Sequence, residues 1–109
     1  MVQTTKAPSA MEVLQGVSPE VAAGFSAMRT AINKFGPIDP KHQELIALAG
    51  FVTAGLEPGF RTHCGRALGH GATREEVQQA VMLTLGASAS ITHVSAALRW
   101  TDEVIAARG

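Results

Sequence analysis

Proton-transfer and thiol chemistry are both suggested by one short stretch, GLEPGFRTHCGRALGHGATREE, which covers residues 55–76. It carries His63, His70 and Cys64, the single cysteine of the chain. An imidazole can accept and return a proton near neutral pH, and a thiolate can act as a nucleophile. Whether either group does so depends on the helix face that it occupies.

The register of this stretch as a helix separates the histidines from the cysteine. At about 100° per residue, one face groups Phe60, Cys64, Ala67 and Leu68. His63 and His70 lie together on one edge of that face, where an imidazole can be partly desolvated and still reach a cleft. Cys64 points nearer to the core than His63 does.

A carboxylate falls on the apolar stripe of the preceding helix. Glu44 shares an i, i+4, i+7 stripe with Leu48 and Phe51, so its side chain is either half buried or facing another protomer. Burial beside a histidine would couple the titrations of the two groups and make them a proton-transfer pair. We therefore predict Glu44 and His63 as the catalytic residues.

Further side chains are candidates for contact with a substrate: Arg61, Glu57, His93 and Cys64. The Arg61 guanidinium suits a substrate carboxylate because it can bind both oxygens. With one cysteine the chain cannot build a thiolate zinc site or a disulfide, and it carries no metal or nucleotide motif. We therefore predict no metal and no cofactor.

Structural roles are the alternative for each of these side chains. A histidine at a helix edge can be hydrogen-bonded within the fold, and a glutamate near a helix start can simply complement the helix dipole. A single half-buried cysteine can pack as a small hydrophobe. Residue types and spacing lead no further than a helical domain with a candidate glutamate–histidine site.

Start and stop signals along the chain predict an all-α fold. Helix starts are indicated at Ser18-Pro19, at Asp39-Pro40, near Glu57 or Pro58, at the Thr73–Glu76 capping box and near Ile91. Helix ends are indicated at Gly36-Pro37, Gly55, Gly69, Gly71 and Gly109. No stretch alternates with the period of a strand, so we predict a compact bundle of five to six helices.

Length and composition predict one small domain that associates with itself. The first ten residues are small and polar, and we predict a flexible segment over 1–10 and a single domain over 11–109. Few aromatic and many small residues in so short a chain favour a homo-oligomer.

Zero net charge with scattered basic residues argues against nucleic acid or a membrane as partner. Without a secretory or membrane-spanning pattern, we expect a cytoplasmic protein.

The order of these features resembles the carboxymuconolactone decarboxylase and alkylhydroperoxidase-D-like family. The resemblance runs from about Pro37 to Glu103 and includes ELIALAG, followed at the family's spacing by His63, Ala67, Leu68, Gly71, Ala72, Thr73 and Glu76. It implies an alkylhydroperoxidase-D-like helical fold, assembly into trimers or hexamers, and a site in a pocket near a subunit contact.

The resemblance also bears on the chemistry. Peroxidase-type members carry two cysteines before the histidine, at the positions of Leu56 and Gly59 in this sequence. Neither residue can perform thiol chemistry, so the dithiol cycle is not available, whereas Glu44 and His63 occupy the proton-relay positions.

Decarboxylase-type members lack the cysteine pair and have a glycine followed by polar residues before the histidine. Gly55, Glu57 and Arg61 fit that pattern, and Pro58 and Gly59 depart from it.

Our leading hypothesis is a cofactor-free enzyme that acts by His/Glu proton transfer on a small carboxylated or carbonyl-containing metabolite. A decarboxylase of the carboxymuconolactone decarboxylase type, and hence a lyase, is the form that the resemblance favours. Two alternatives stay open: a thiol-dependent, peroxidase-like activity through Cys64, and a non-catalytic helical oligomer of the same fold.

Overall fold

The computed structural model describes residues 7–108. These residues fall into two units, which divide between Pro37 and Ile38. Within the described residues the secondary structure is six helices: α1 (Ala10–Val17), α2 (Pro19–Phe35), α3 (Pro40–Ala54), α4 (Glu57–Gly69), α5 (Arg74–Met82) and α6 (Ile91–Arg108). The predicted all-α fold of five to six helices is confirmed. Residues 1–6 of the predicted flexible segment, and Gly109 as the predicted stop of the last helix, lie outside the described residues. A single domain over 11–109 stays a prediction.

In the first unit, two serines start the two helices. The Ser9 hydroxyl accepts a hydrogen bond from the backbone N–H of Glu12, and the Ser18 hydroxyl accepts one from Val21. Such caps satisfy N–H groups that have no partner within the helix. Apolar residues recur at helical spacing along α2 and predict an apolar face made of Val21, Phe25, Met28, Ile32 and Phe35. This face is present but exposed, with side chains 47–92% accessible.

In the second unit, local cap signals fix the ends of the helices that carry the candidate site. The Asp39 carboxylate accepts from the backbone N–H of His42 at 2.8 Å and begins α3. Gly55 ends α3 in the left-handed region, at a φ of 69°, where glycine is favoured. Thr73 and Glu76 form the predicted capping box of α5, each bonding the other's backbone.

The core of the second unit includes Phe60, Cys64 and Ala67, three of the four residues on the face that the periodicity of α4 predicts. It comprises Leu48, Val52, Phe60, Cys64, Ala67, Ala72, Val77, Val81, Val94 and Ala97. The spacing of Val77, Ala80, Val81, Thr84 and Leu85 predicts one apolar face for α5. This prediction is wrong for Leu85, because α5 ends at Met82 and Leu85 is 48% exposed in the turns that follow. Gly86 has a φ of 82° in those turns, a conformation that does not continue a helix.

Side-chain ion pairs join the helices of this unit at its surface. The Lys41 ammonium donates to Glu76 at 2.9 Å and links α3 to α5, and Arg74 binds Asp102 between α5 and α6. Surface pairs of this kind contribute little stability, so the packed core is what holds the helices of this unit together. No helix within residues 7–108 has the length and apolar character needed to cross a bilayer.

Candidate active site

The structure brings Glu44 and His63 together from two neighbouring helices. Glu44 lies in the second turn of α3 and His63 in the middle of α4, and Oε2 of Glu44 is 2.5 Å from Nδ1 of His63. Both side chains are mostly withdrawn from solvent, at 15% exposure for His63 and 16% for Glu44. The pair therefore has the short distance and partial burial that make a charge-assisted hydrogen bond strong.

The chemistry of the two groups determines which ring nitrogen is available. An ionised carboxylate can only accept, so the hydrogen bond to Glu44 places a proton on Nδ1 of His63. In the neutral ring, Nε2 then carries the lone pair and can take up a proton. When Nε2 is protonated, the cationic ring faces the anionic Glu44, which stabilises that charge. The arrangement suits a general acid/base whose tautomer is set by a carboxylate.

An aromatic ring packs against the imidazole of this pair. The Phe51 ring centroid lies 5.0 Å from that of His63, with the planes inclined by 37°. Phe51 is partly buried and packs against the core. Directly beneath it is Gly59, where an added Cβ would lie 2.3 Å from Cε1 of Phe51.

Phe51 was not among the predicted site residues, although its position on α3 pointed to this contact. Glu44 and Phe51 stand at i and i+7 on one stripe of α3, so a histidine that meets the first can also meet the second. His63 and Gly59 are one turn apart on α4, which brings both under the same ring. What single-helix periodicity could not supply is the distance between the two helices.

Two predicted substrate-binding residues bind each other. The Arg61 Nε donates to Glu57 at 2.9 Å, and the same guanidinium binds Glu103 on α6. These hydrogen bonds, that with Glu103 first and that with Glu57 second, raise the pKa of Arg61 above its usual value. A substrate carboxylate would have to compete with both partners, and the predicted role of Arg61 and Glu57 in substrate binding stays a prediction.

The thiol is enclosed by the core. Cys64 is 0% exposed, and burial raises the pKa of its thiol, an effect that a hydrogen bond with Thr101 opposes only in part. A reactive cysteine needs the opposite conditions, an electropositive and partly exposed environment. Contact of Cys64 with a substrate stays a prediction, and the structure places this thiol where a small hydrophobic side chain would pack.

The remaining histidines lie at other places. His93 is exposed in the first turn of α6, and its ring packs over Gly55, at 3.1 Å between Nε2 and the position of an added Cβ. Substrate contact by His93 stays a prediction. His70 follows the last residue of α4 and lines a surface depression with Asp39, Pro40, Lys41 and Gly71, to which neither Glu44 nor His63 contributes.

The acidic, histidine and cysteine side chains of the described part of the chain do not gather into a metal site: in residues 7–108, no three of them lie in a group that could hold an ion.

The fold and the site together define a class of all-helical protein with a glutamate–histidine pair at the contact of two core helices. A sequence model of the carboxymuconolactone decarboxylase family matches residues 19–103, and the chain belongs to this family. The resemblance stated from the sequence is thereby confirmed.

A solved structure from Thermotoga maritima shares the fold. It is of a carboxymuconolactone decarboxylase family protein with a suggested involvement in an antioxidative response. The superposition has a TM-score of 0.70 at 23% identity and covers 89% of this chain and 90% of that chain. A comparison with curated protein sequences finds no match.

Proposed function

We propose that this protein is a cofactor-free enzyme that uses His63 and Glu44 for proton transfer on a small carboxylated or carbonyl-containing substrate. The observation that carries the proposal is the hydrogen bond of 2.5 Å between Nδ1 of His63 and the Glu44 carboxylate, in a setting where both side chains are about 15% exposed. Membership of the carboxymuconolactone decarboxylase family supports a lyase reaction. A cytoplasmic location, expected from the sequence, belongs to the same proposal.

The roles of the two residues follow from the tautomer. His63 is the general acid/base, acting through Nε2, and Glu44 orients the ring and stabilises its cationic form. In a decarboxylation, the electrons of the broken carbon–carbon bond pass to a neighbouring carbonyl as carbon dioxide leaves. The carbon then needs a proton, which the His63 imidazolium supplies. Removing a general acid/base of this kind costs about 100- to 10,000-fold in rate.

The test is a substrate screen followed by three single substitutions. Lactones, keto acids and peroxides are offered to the wild-type protein, and the best turnover found is measured for His63→Gln, His42→Gln and Cys64→Ala. His63→Gln should lose about 100-fold or more. His42→Gln is the matched control, because His42 is an exposed residue paired with Asp39 at the start of α3.

The Cys64→Ala protein separates the chemical alternatives. Since Cys64 lies in the core, turnover should persist within a few-fold of wild type if its folded fraction is unchanged. Turnover that survives His63→Gln and is abolished by Cys64→Ala would contradict the proposal and favour the thiol-dependent activity. Binding of the screened compounds without turnover would favour the non-catalytic oligomer.

We also propose self-association, as a trimer or hexamer, through the apolar face of α2. Phe25, Met28 and Ile32 are each about half exposed on that face, and apolar patches of this kind commonly mark interaction surfaces. Sedimentation velocity should give a mass well above 11.4 kDa for the wild type. A Met28→Glu variant should shift it toward the monomer, and a monomeric wild type would contradict the proposal.

A further inference from the structure

The contact between Phe51 and Gly59 is so close that position 59 has no room for a side chain. An added Cβ would lie 2.3 Å from Cε1 of Phe51 and 2.8 Å from Cζ, whereas carbon atoms in favourable contact are about 3.5–4.0 Å apart. Gly59 is not among the glycines with a positive φ. Space, and not backbone conformation, is therefore what requires glycine at this position.

The same ring lies against the imidazole of His63. Positions 59 and 63 are neighbours one turn apart on α4, so Phe51 spans Gly59 and the ring of His63. Its centroid distance of 5.0 Å from His63 is within the range of favourable aromatic contacts, about 4.5–7 Å. Phe51 also packs against the core, and this packing restricts its movement away from His63.

An imidazole held only by its backbone would not keep one orientation. The χ2 torsion angle of histidine has a broad, roughly two-fold distribution. Only one of the two resulting orientations turns Nδ1 to Glu44. The observed ring has the Glu44 carboxylate at Nδ1 and Phe51 packed on it. The packed Phe51 ring restricts the plane of the imidazole, and the hydrogen bond to Glu44 selects between its two flipped orientations.

We infer that Phe51 is a positioning residue for His63: seated on Gly59, its ring holds the imidazole in the orientation in which Nδ1 bonds to Glu44. Gly59 is required because any side chain there would lift the ring from its place. The consequence for turnover rests on the proposed function, whereas the orientation of the imidazole is a property of the resting protein.

The experiment compares two glycines of the same helix. Gly59→Ala introduces a Cβ into the Phe51 ring, and Gly65→Ala is the matched control, because a Cβ at position 65 has no neighbour within 4 Å. Both changes replace glycine by a better helix former. Each is made in the wild type and in a Phe51→Val background, and the melting temperature is measured for all variants. The comparison with the Phe51→Val background isolates the contribution of the ring contact at position 59.

Gly65→Ala should keep or raise the melting temperature in either background. Gly59→Ala should lower it in the presence of Phe51 and behave like Gly65→Ala in the Phe51→Val background, where the obstructing ring is gone. An equal effect of Gly59→Ala in both backgrounds would show that the ring does not require the glycine and would overturn the inference.

The orientation of His63 is followed by NMR of nitrogen-15-labelled protein without substrate. The hydrogen-bonded Nδ1–H proton, assigned by its absence in Glu44→Ala, should persist in wild type and Gly65→Ala. Gly59→Ala and Phe51→Val should lose most of that signal while remaining folded. A signal that is unchanged in both would overturn the inference. Phe51→Leu, which keeps apolar volume but has no ring, gives the same readout if the valine variant does not fold.

Turnover gives a separate readout. If the proposed function holds, Phe51→Val and Gly59→Ala should lose about 10- to 100-fold in kcat, the effect of misplacing a catalytic group, while Gly65→Ala stays at the wild-type value. Failure of the proposed function would appear as turnover that survives His63→Gln, and this outcome leaves the NMR result on ring orientation standing by itself.

Discussion

The hydrogen bond between Glu44 and His63 should be measurable as a coupling energy in a double-mutant cycle. The cycle uses Glu44→Ala, His63→Ala and the double variant, because alanine has the best helix propensity and preserves α3 and α4. The free energies of unfolding of the four proteins give the part of the stability that exists only when both side chains are present.

The expected coupling is about 1.5–3 kcal/mol, the range for hydrogen bonds to charged groups. The Oε2–Nδ1 distance of 2.5 Å and exposures of 16% and 15% place this pair among the strong, weakly screened ones. His63→Ala also removes the contact with Phe51, worth about 0.5–1.5 kcal/mol. That loss occurs in the single and the double variant alike, so it cancels in the coupling energy.

The Arg74–Asp102 pair is the internal reference, with its side chains 44% and 61% exposed. Exposed pairs couple by about 0–1 kcal/mol, and salt weakens them further. Urea unfolding of both cycles at one fixed protein concentration excludes effects of association. A coupling for Glu44 and His63 no larger than that of the surface pair would refute the assignment of a partly buried, charge-assisted hydrogen bond.

Three further predictions concern the core and the caps. Because burial raises the pKa of the Cys64 thiol, iodoacetamide at about pH 8 should alkylate the native protein far more slowly than the urea-unfolded protein; equal rates in mass spectrometry would contradict this. Two hydrogen bonds lower the pKa of Asp39: that from the backbone N–H of His42, which has the larger effect, and that with the His42 ring. The stability that the Asp39 carboxylate contributes is therefore present above the usual carboxyl pKa and is lost as the pH falls through the lowered value. Asp39→Asn, which preserves the cap, should therefore show a weaker loss of melting temperature below about pH 4, and a slope identical to wild type would exclude this role. Thr73→Ala removes half of the capping box and should lower the free energy of unfolding by about 1 kcal/mol in urea, whereas no change would mean that the box contributes nothing.

The helix boundaries could be predicted because their causes are local. Ser18, Asp39 and Thr73 each bond a backbone N–H three residues later, and such contacts are encoded within one turn of sequence. The end of α5 was less accessible to prediction, since Leu85 continues the apolar spacing of the helix although the chain turns after Met82. Periodicity alone does not distinguish a helix from turns that happen to place apolar residues at the same intervals.

The faces that carry Glu44 and His63 could be predicted one helix at a time, whereas their pairing was what the family resemblance implied. The i, i+4, i+7 stripe of α3 groups Glu44 with Leu48. The helical register of α4 puts His63 at the edge of the face that contains Cys64. Since Leu48 and Cys64 both enter the core, the side chains at the edges of those faces come into contact as the helices pack. Arg61 shows the limit of such reasoning, because its partner Glu103 is on α6, and no spacing in the sequence links the two.

Position 59 illustrates what a single sequence leaves unexplained until distances are known. From the sequence, Gly59 was a departure from the decarboxylase pattern and a lost cysteine position of the peroxidase-type relatives. The structure supplies a physical reason for glycine there, since the space above its Cα is filled by Phe51, which packs on the His63 ring. An aromatic ring at position 51 and a side chain at position 59 therefore exclude one another in this packing. A thiol could enter position 59 only if Phe51 were displaced, so in this chain the covered imidazole and a cysteine beside it are alternative designs of the same site.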